Sequence, residues 1–159
     1  MDYIAYINIL KDTLKKKIYL LDELLEETYR QEQAISLAEA DVDAFQEGIE
    51  KKEPVILQLN KLDDGFELVY EKFGAAIKEN KQSYREDILE LQSYIKKVME
   101  KSTLLQGMEK SNKIKLESYL SQKKVEVRAY KVSNQAVGNY YKNMSEGYQN
   151  ESIFLDKKK

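Results

Sequence analysis

The chain has 159 residues, enough for one slender domain, and 34% charged residues with a mean hydropathy of -0.65 point to a soluble, elongated protein. One proline, six glycines and no tryptophan leave a β fold without its usual punctuation, and the absence of cysteine and histidine excludes disulfides, thiolate chemistry, the commonest general base and most zinc-ligand sets. A net charge of -2 gives no overall field that would draw the chain onto nucleic acid.

The first predicted helix covers about residues 3–38. Ile4, Ile7, Leu14, Ile18, Leu21, Leu25 and Ile35 recur at heptad-like steps, and Leu10, Leu20 and Leu24 widen the stripe. So wide a stripe suits a helix packed against two neighbours better than a two-stranded seam.

The acidic break at residues 39–43 supplies Asp41 or Asp43 as the N-cap of a second helix, about residues 43–78. Its apolar face is Phe45, Ile49, Ile56, Leu59, Leu62, Phe66, Val69, Tyr70 and Phe73. Pro54 lacks a backbone donor and crowds the preceding turn, so a kink or short interruption is expected near residues 51–53. Gly65 is a second weak point, and Gly74-Ala75-Ala76 reads as close helix packing or a fraying end.

Residues 78–82 form a polar connection, and Ser83 followed by Glu86 has capping-box spacing, which starts a third helix over about residues 84–138. Its stripe is Ile88, Leu91, Ile95, Val98, Leu105, Met108, Leu116 and Leu120, continued by Val127, Tyr130, Val137, Tyr141 and Met144. The expectation is an all-α, elongated antiparallel three-helix bundle over residues 1–142 and a flexible tail over residues 143–159, apolar only at Ile153-Phe154-Leu155.

At 1.5 Å per residue the first two helices are roughly 50 to 55 Å long and the third roughly 80 Å, which leaves about 25 Å of the last helix without a partner. In an up-down-up arrangement this overhang, about residues 121–141, extends past the turn joining the first two helices. Tyr119, Tyr130, Tyr140, Tyr141 and Tyr148 concentrate in this last quarter, and tyrosine joins an apolar body to a polar tip, which suits interfaces that form and release in water. Tyr119 is expected to cover the helix's own contacts. Val127, Tyr130, Val137, Tyr140, Tyr141 and Met144 are the candidate partner-binding residues.

Charge is unevenly spread. Residues 22–53 hold eleven acids and three bases, a net of -8, and residues 110–142 hold eight bases and two acids, a net of +6. They read as solvated helix surfaces that help set register rather than a nucleic-acid stripe. The carboxylate pairs Glu26-Glu27 and Asp63-Asp64 lack the loop glycine and alternating oxygens of a calcium site and read as solvated faces too. With no phosphate loop and no catalytic constellation, the expectation is a non-enzyme with neither cofactor nor metal. No membrane-spanning run is present, and Met1-Asp2-Tyr3 lacks the basic region and apolar core of a signal peptide, so a cytoplasmic location is expected.

The layout resembles the FlgN-like flagellar export chaperones over most of its length. The resemblance is carried by the leucine-rich first helix, the connection Leu37-Ala-Glu-Ala-Asp41-Val-Asp-Ala-Phe45, the stretches Ile49-Glu-Lys-Lys52 and Leu59-Asn-Lys-Leu62-Asp63, the basic Asn112-Lys113 stretch, and the tail Ser152-Ile-Phe-Leu-Asp156-Lys157-Lys158. Pro54 and the doubled Tyr140-Tyr141 depart from the family pattern. The resemblance implies a small cytoplasmic chaperone, monomeric or a small homo-oligomer, that caps the amphipathic terminal helix of hook-filament junction (hook-associated) proteins before type III export. It further implies that a tyrosine, by position Tyr140 or Tyr141, docks on the export-gate membrane protein. The alternative from the residues alone is a structural coiled-coil or adaptor protein that oligomerises through the same overhang.

Overall fold

The computed structural model describes residues 2–123 as three helices: α1 (Ile4–Ile35), α2 (Val42–Glu79) and α3 (Arg85–Lys123). No strand occurs among the described residues. Cross-helix contacts fix the topology. Gln31 meets Phe45, Thr28 meets Lys52, Lys17 meets Asp63 and Tyr6 meets Phe73, so α1 and α2 run antiparallel. Between α1 and α3 the partners keep a nearly constant offset, 81 residues for Tyr3–Tyr84, 79 for Asp22–Lys101 and 81 for Thr28–Glu109, so these two helices run parallel. The bundle is up-down-up, with α1 packed along both neighbours and α2 and α3 much less close to each other.

The core follows the predicted heptads. Ile7, Leu10, Leu14, Leu20, Leu21 and Leu24 of α1 pack with Ile56, Leu59, Phe66 and Ile77 of α2 and Leu91, Ile95, Val98 and Leu105 of α3. A second, smaller cluster at the α1–α2 turn joins Ile35, Ala40, Phe45, Ile49, Leu116 and Leu120. At the opposite end the rings of Tyr6 and Phe73 stack at 3.6 Å between centroids, and the Tyr84 hydroxyl accepts the Tyr3 N–H at 3.0 Å.

The helix ends have local causes. Asp41 caps α2 as expected, its side chain accepting the Ala44 N–H at 3.0 Å. The Asp41 N–H also takes the carbonyl of Ala34 at 2.9 Å, which closes the turn and stops α1 at Ile35, short of residue 38. The start of α3 differs from the capping-box expectation. Ser83 lies in the turn with its N–H on the Asn80 carbonyl, and Tyr84 takes the cap position, its carbonyl accepting the Ile88 N–H at 2.8 Å.

The expected interruption near residues 51–53 is absent, since α2 runs unbroken through Pro54. The carbonyl that loses its donor belongs to Glu50, and both Glu50 and Pro54 face solvent, so water can satisfy it. Buried Ile49, Lys52 and Ile56 hold the same turns from the core side. The expected end of the third helix near residue 138 and the tail over residues 143–159 lie outside the described residues.

Candidate partner-binding site

At the α1–α2 turn the described part of α3 meets its last buried contacts. The constant offset sets Leu120 level with Ala40, inside that turn, and both are buried there. Tyr119 packs on the same cluster beside Val42 and its hydroxyl reaches Glu39 Oε1 at 3.4 Å, so this tyrosine does cover α3's own contacts. Ser121 and Gln122, the next residues, are exposed. Val127, Tyr130, Val137, Tyr140, Tyr141 and Met144, the sequence-predicted binding residues, lie outside the described residues.

Between the two apolar clusters lies a polar layer that leads from the core to this end. Lys52 of α2, 2% exposed, hydrogen-bonds Thr28 Oγ1 at 3.2 Å and ion-pairs with Glu109 of α3, while the Thr28 hydroxyl donates to the same Glu109 oxygen at 2.9 Å. One turn further, Gln31 Nε2 donates to the Phe45 carbonyl at 2.9 Å and Asn112 Nδ2 to the Thr28 carbonyl at 3.1 Å. Burial pulls the pKa of Lys52 below its ordinary value, and the Glu109 carboxylate opposes that shift. A cleft of about 310 Å³ opens beside the layer, lined by Glu23, Glu26, Glu27, Arg30, Lys51 and Lys52 with Leu24 and Val55. Arg30 is held there by Glu26 at 2.6 Å and Glu27 at 2.9 Å.

A second polar contact sits deeper, where Lys17 meets Asp63 at 2.7 Å. Burial pushes the Asp63 carboxyl above the usual carboxylate range against the pull of Lys17, so the reading of Asp63 as part of a solvated face is corrected. Asp64 is exposed, in keeping with that reading.

Lys52 with Thr28 and Glu109, and Lys17 with Asp63, are paired across helices, which ties these contacts to the register of the bundle. A polar side chain at a core heptad position is satisfied only when its neighbours align. No family model, curated protein or solved structure matches the chain. Among the described residues no helix is long and apolar enough to cross a membrane.

The buried and half-buried polar positions stand on the same steps as the apolar ones. Lys17, Thr28 and Gln31 continue the steps of Leu14, Leu21, Leu24 and Ile35; Lys52 and Asp63 continue those of Ile49, Ile56, Leu59 and Phe66; Ser102, Glu109 and Asn112 do the same on α3. Reading only the apolar members of each stripe passes over them.

Proposed function

We propose that the protein is a cytoplasmic flagellar type III export chaperone that binds the amphipathic terminal helix of hook-filament junction proteins through the segment beyond the bundle. The observation that supports this is the register of α1 against α3. With α1 ending at Ile35 and partners about 80 residues apart, the intramolecular surface for α3 ends near Leu120, at the turn. The sequence carries the same apolar periodicity onward through Val127, Tyr130, Val137, Tyr141 and Met144. A client's amphipathic helix would complete that stripe, with methionine adapting to its shape and Tyr140 or Tyr141 offering a docking point for the export-gate membrane protein.

Calorimetry with terminal peptides of hook-junction proteins tests the reading. The full chain should bind them, and removal of residues 124–159, or Tyr130→Ala with Val137→Ala, should weaken binding while the bundle's melting temperature changes little. Equal affinity for intact and truncated protein would overturn it. Concentration-dependent self-association that the truncation abolishes, without peptide binding, would favour a structural coiled-coil instead.

A further inference from the structure

On the bundle face away from these contacts, a groove of about 490 Å³ runs between α1 and α2, and α3 lends it no lining residue. Leu20, Leu62 and the ring of Tyr19 give it apolar walls, and Lys15, Lys16, Lys61 and the amide of Gln58 surround them. No carboxylate lines it. Tyr19 is 66% exposed although it stands beside the buried Leu20.

The surface continues along α2. Leu57 and Leu68, 62% and 61% exposed, flank Lys61 at spacings of four and seven residues, which puts all three on one helical face. At Gly65, seven residues from Gln58, no atom lies within 4 Å of where a Cβ would stand, so a foreign backbone can come close.

We propose that this groove docks an acidic amphipathic helix of another protein, one whose leucine-class side chains are flanked by Asp or Glu. The inference goes beyond the export-chaperone reading and does not depend on residues 124–159. Two antiparallel helices offer a groove into which the ridge of a third helix fits, so the apolar walls select a helix. The lysines select its charge. Lys16 and Lys61 have no ion pair among the described residues, whereas the Lys15 ammonium lies 5.6 Å from the centroid of the Tyr94 ring of α3 and acts on the Glu90 carboxylate there, so the charge over the groove comes from Lys16 and Lys61.

Charge argues against two other occupants. A second copy docked symmetrically would set the same lysines against each other. The chain's own apolar cluster Ile153-Phe154-Leu155 is flanked by Glu151 and Asp156 but runs into Lys157, Lys158 and Lys159, whose three positive charges outnumber those two acids.

Fluorescence anisotropy on the full chain tests this with a labelled helical peptide carrying Leu at i and i+4 and flanking glutamates, against its counterpart with flanking lysines. The glutamate peptide should bind, and the lysine peptide should not. Lys16→Glu with Lys61→Glu should weaken binding on the order of tenfold and reduce its salt dependence, while Tyr19→Ala should weaken binding and preserve that dependence. All three side chains are exposed, and an unchanged thermal melt of each variant confirms the fold. Equal binding of the two peptides, or indifference to the lysine substitutions, overturns the proposal. So does a dimer, detected by sedimentation, that the lysine substitutions dissociate, which would assign the groove to a second copy. Glutamate-peptide binding that appears only after removal of residues 146–159 would assign it to the chain's own tail and overturn it equally.

Discussion

Lys52 of α2 and Glu109 of α3 form an ion pair across the two helices whose backbones approach each other least. Thr28 of α1 contacts both, so one small cluster ties all three helices at a single level. Breaking such a pair and replacing it have different consequences, because an orphaned buried charge costs more than a missing attraction.

Glu109→Ala leaves the Lys52 ammonium buried with the Thr28 hydroxyl as its hydrogen-bond partner and only the Glu27 carboxylate acting on its charge, and should destabilise the bundle by about 3 kcal/mol. The double replacement Lys52→Met with Glu109→Met removes the buried charge as well, and should return stability to within about 1 kcal/mol of the starting protein. Urea denaturation of both variants at neutral pH measures the contrast.

The same cluster predicts a direction with pH. Burial holds the folded pKa of Lys52 below 10.5, so between that lowered value and 10.5 the unfolded chain binds more protons and stability from this group rises with pH. Without the Glu109 charge the lowering deepens, so the stability gap between Glu109→Ala and the double variant should narrow as pH rises towards 10.5. Lys11 acts in another window: burial lowers its pKa, but hydrogen bonds to Asp87 and Glu90 outweigh that and raise it, so its stabilisation is lost only above 10.5. Urea midpoints across the alkaline range give the sign.

Two glycines of α2 should respond oppositely to alanine. A Cβ on Gly48 would stand 2.6 Å from Cγ of Gln31, whose amide is tied to the Phe45 carbonyl, so Gly48→Ala should cost about 1 to 3 kcal/mol through strain or loss of that bond. Gly65 has open space at its Cβ position, and Gly65→Ala should stabilise by about 0.5 to 1 kcal/mol through helix propensity. Thermal melts of the two variants compare them directly.

Leu21 and Leu91 are both fully buried where α1 meets its neighbours, so Leu21→Asp or Leu91→Asp should cost on the order of 3 to 5 kcal/mol. Leu57→Asp, on the exposed face of α2, should shift stability by no more than about 0.5 kcal/mol. Chemical denaturation of the three variants checks the stripe assignment.

Helix number, order and core faces were legible because each helix keeps enough apolar residues at heptad steps, polar interruptions included, and because Asp41 has one good role at the start of α2. Pro54 does not interrupt α2 because proline's local cost depends on whether the freed carbonyl meets water, and sequence does not say that Glu50 faces solvent. Ser83 misled because capping-box spacing is necessary but not sufficient, and the turn held by the Asn80 carbonyl carries the chain one residue further before α3 begins. Lys17 and Lys52 stand at heptad positions, yet a lysine in such a place is equally able to extend outward; only the presence of Asp63 and Glu109 opposite them decides. The proposed binding residues rest on periodicity alone, and the α1–α2 groove was invisible to it, because which lysines gather around one apolar hollow depends on two helices at once.

The steady offset of about 80 residues between α1 and α3 has a consequence for how the chain is made. As translation proceeds, α1 can pair with α2 once the first hairpin has left the ribosome, but the side of α1 that faces α3 waits for the 44 residues from the end of α2 at residue 79 to residue 123 of α3. At elongation rates of about 5 to 20 residues per second, that delay is roughly 2 to 9 seconds. For that interval a leucine-rich flank stands open on the nascent hairpin, and the charged side chains of Lys11 and Asp22 lack their α3 partners. The newborn chain thus passes through a period of its own in which it needs protection from aggregation.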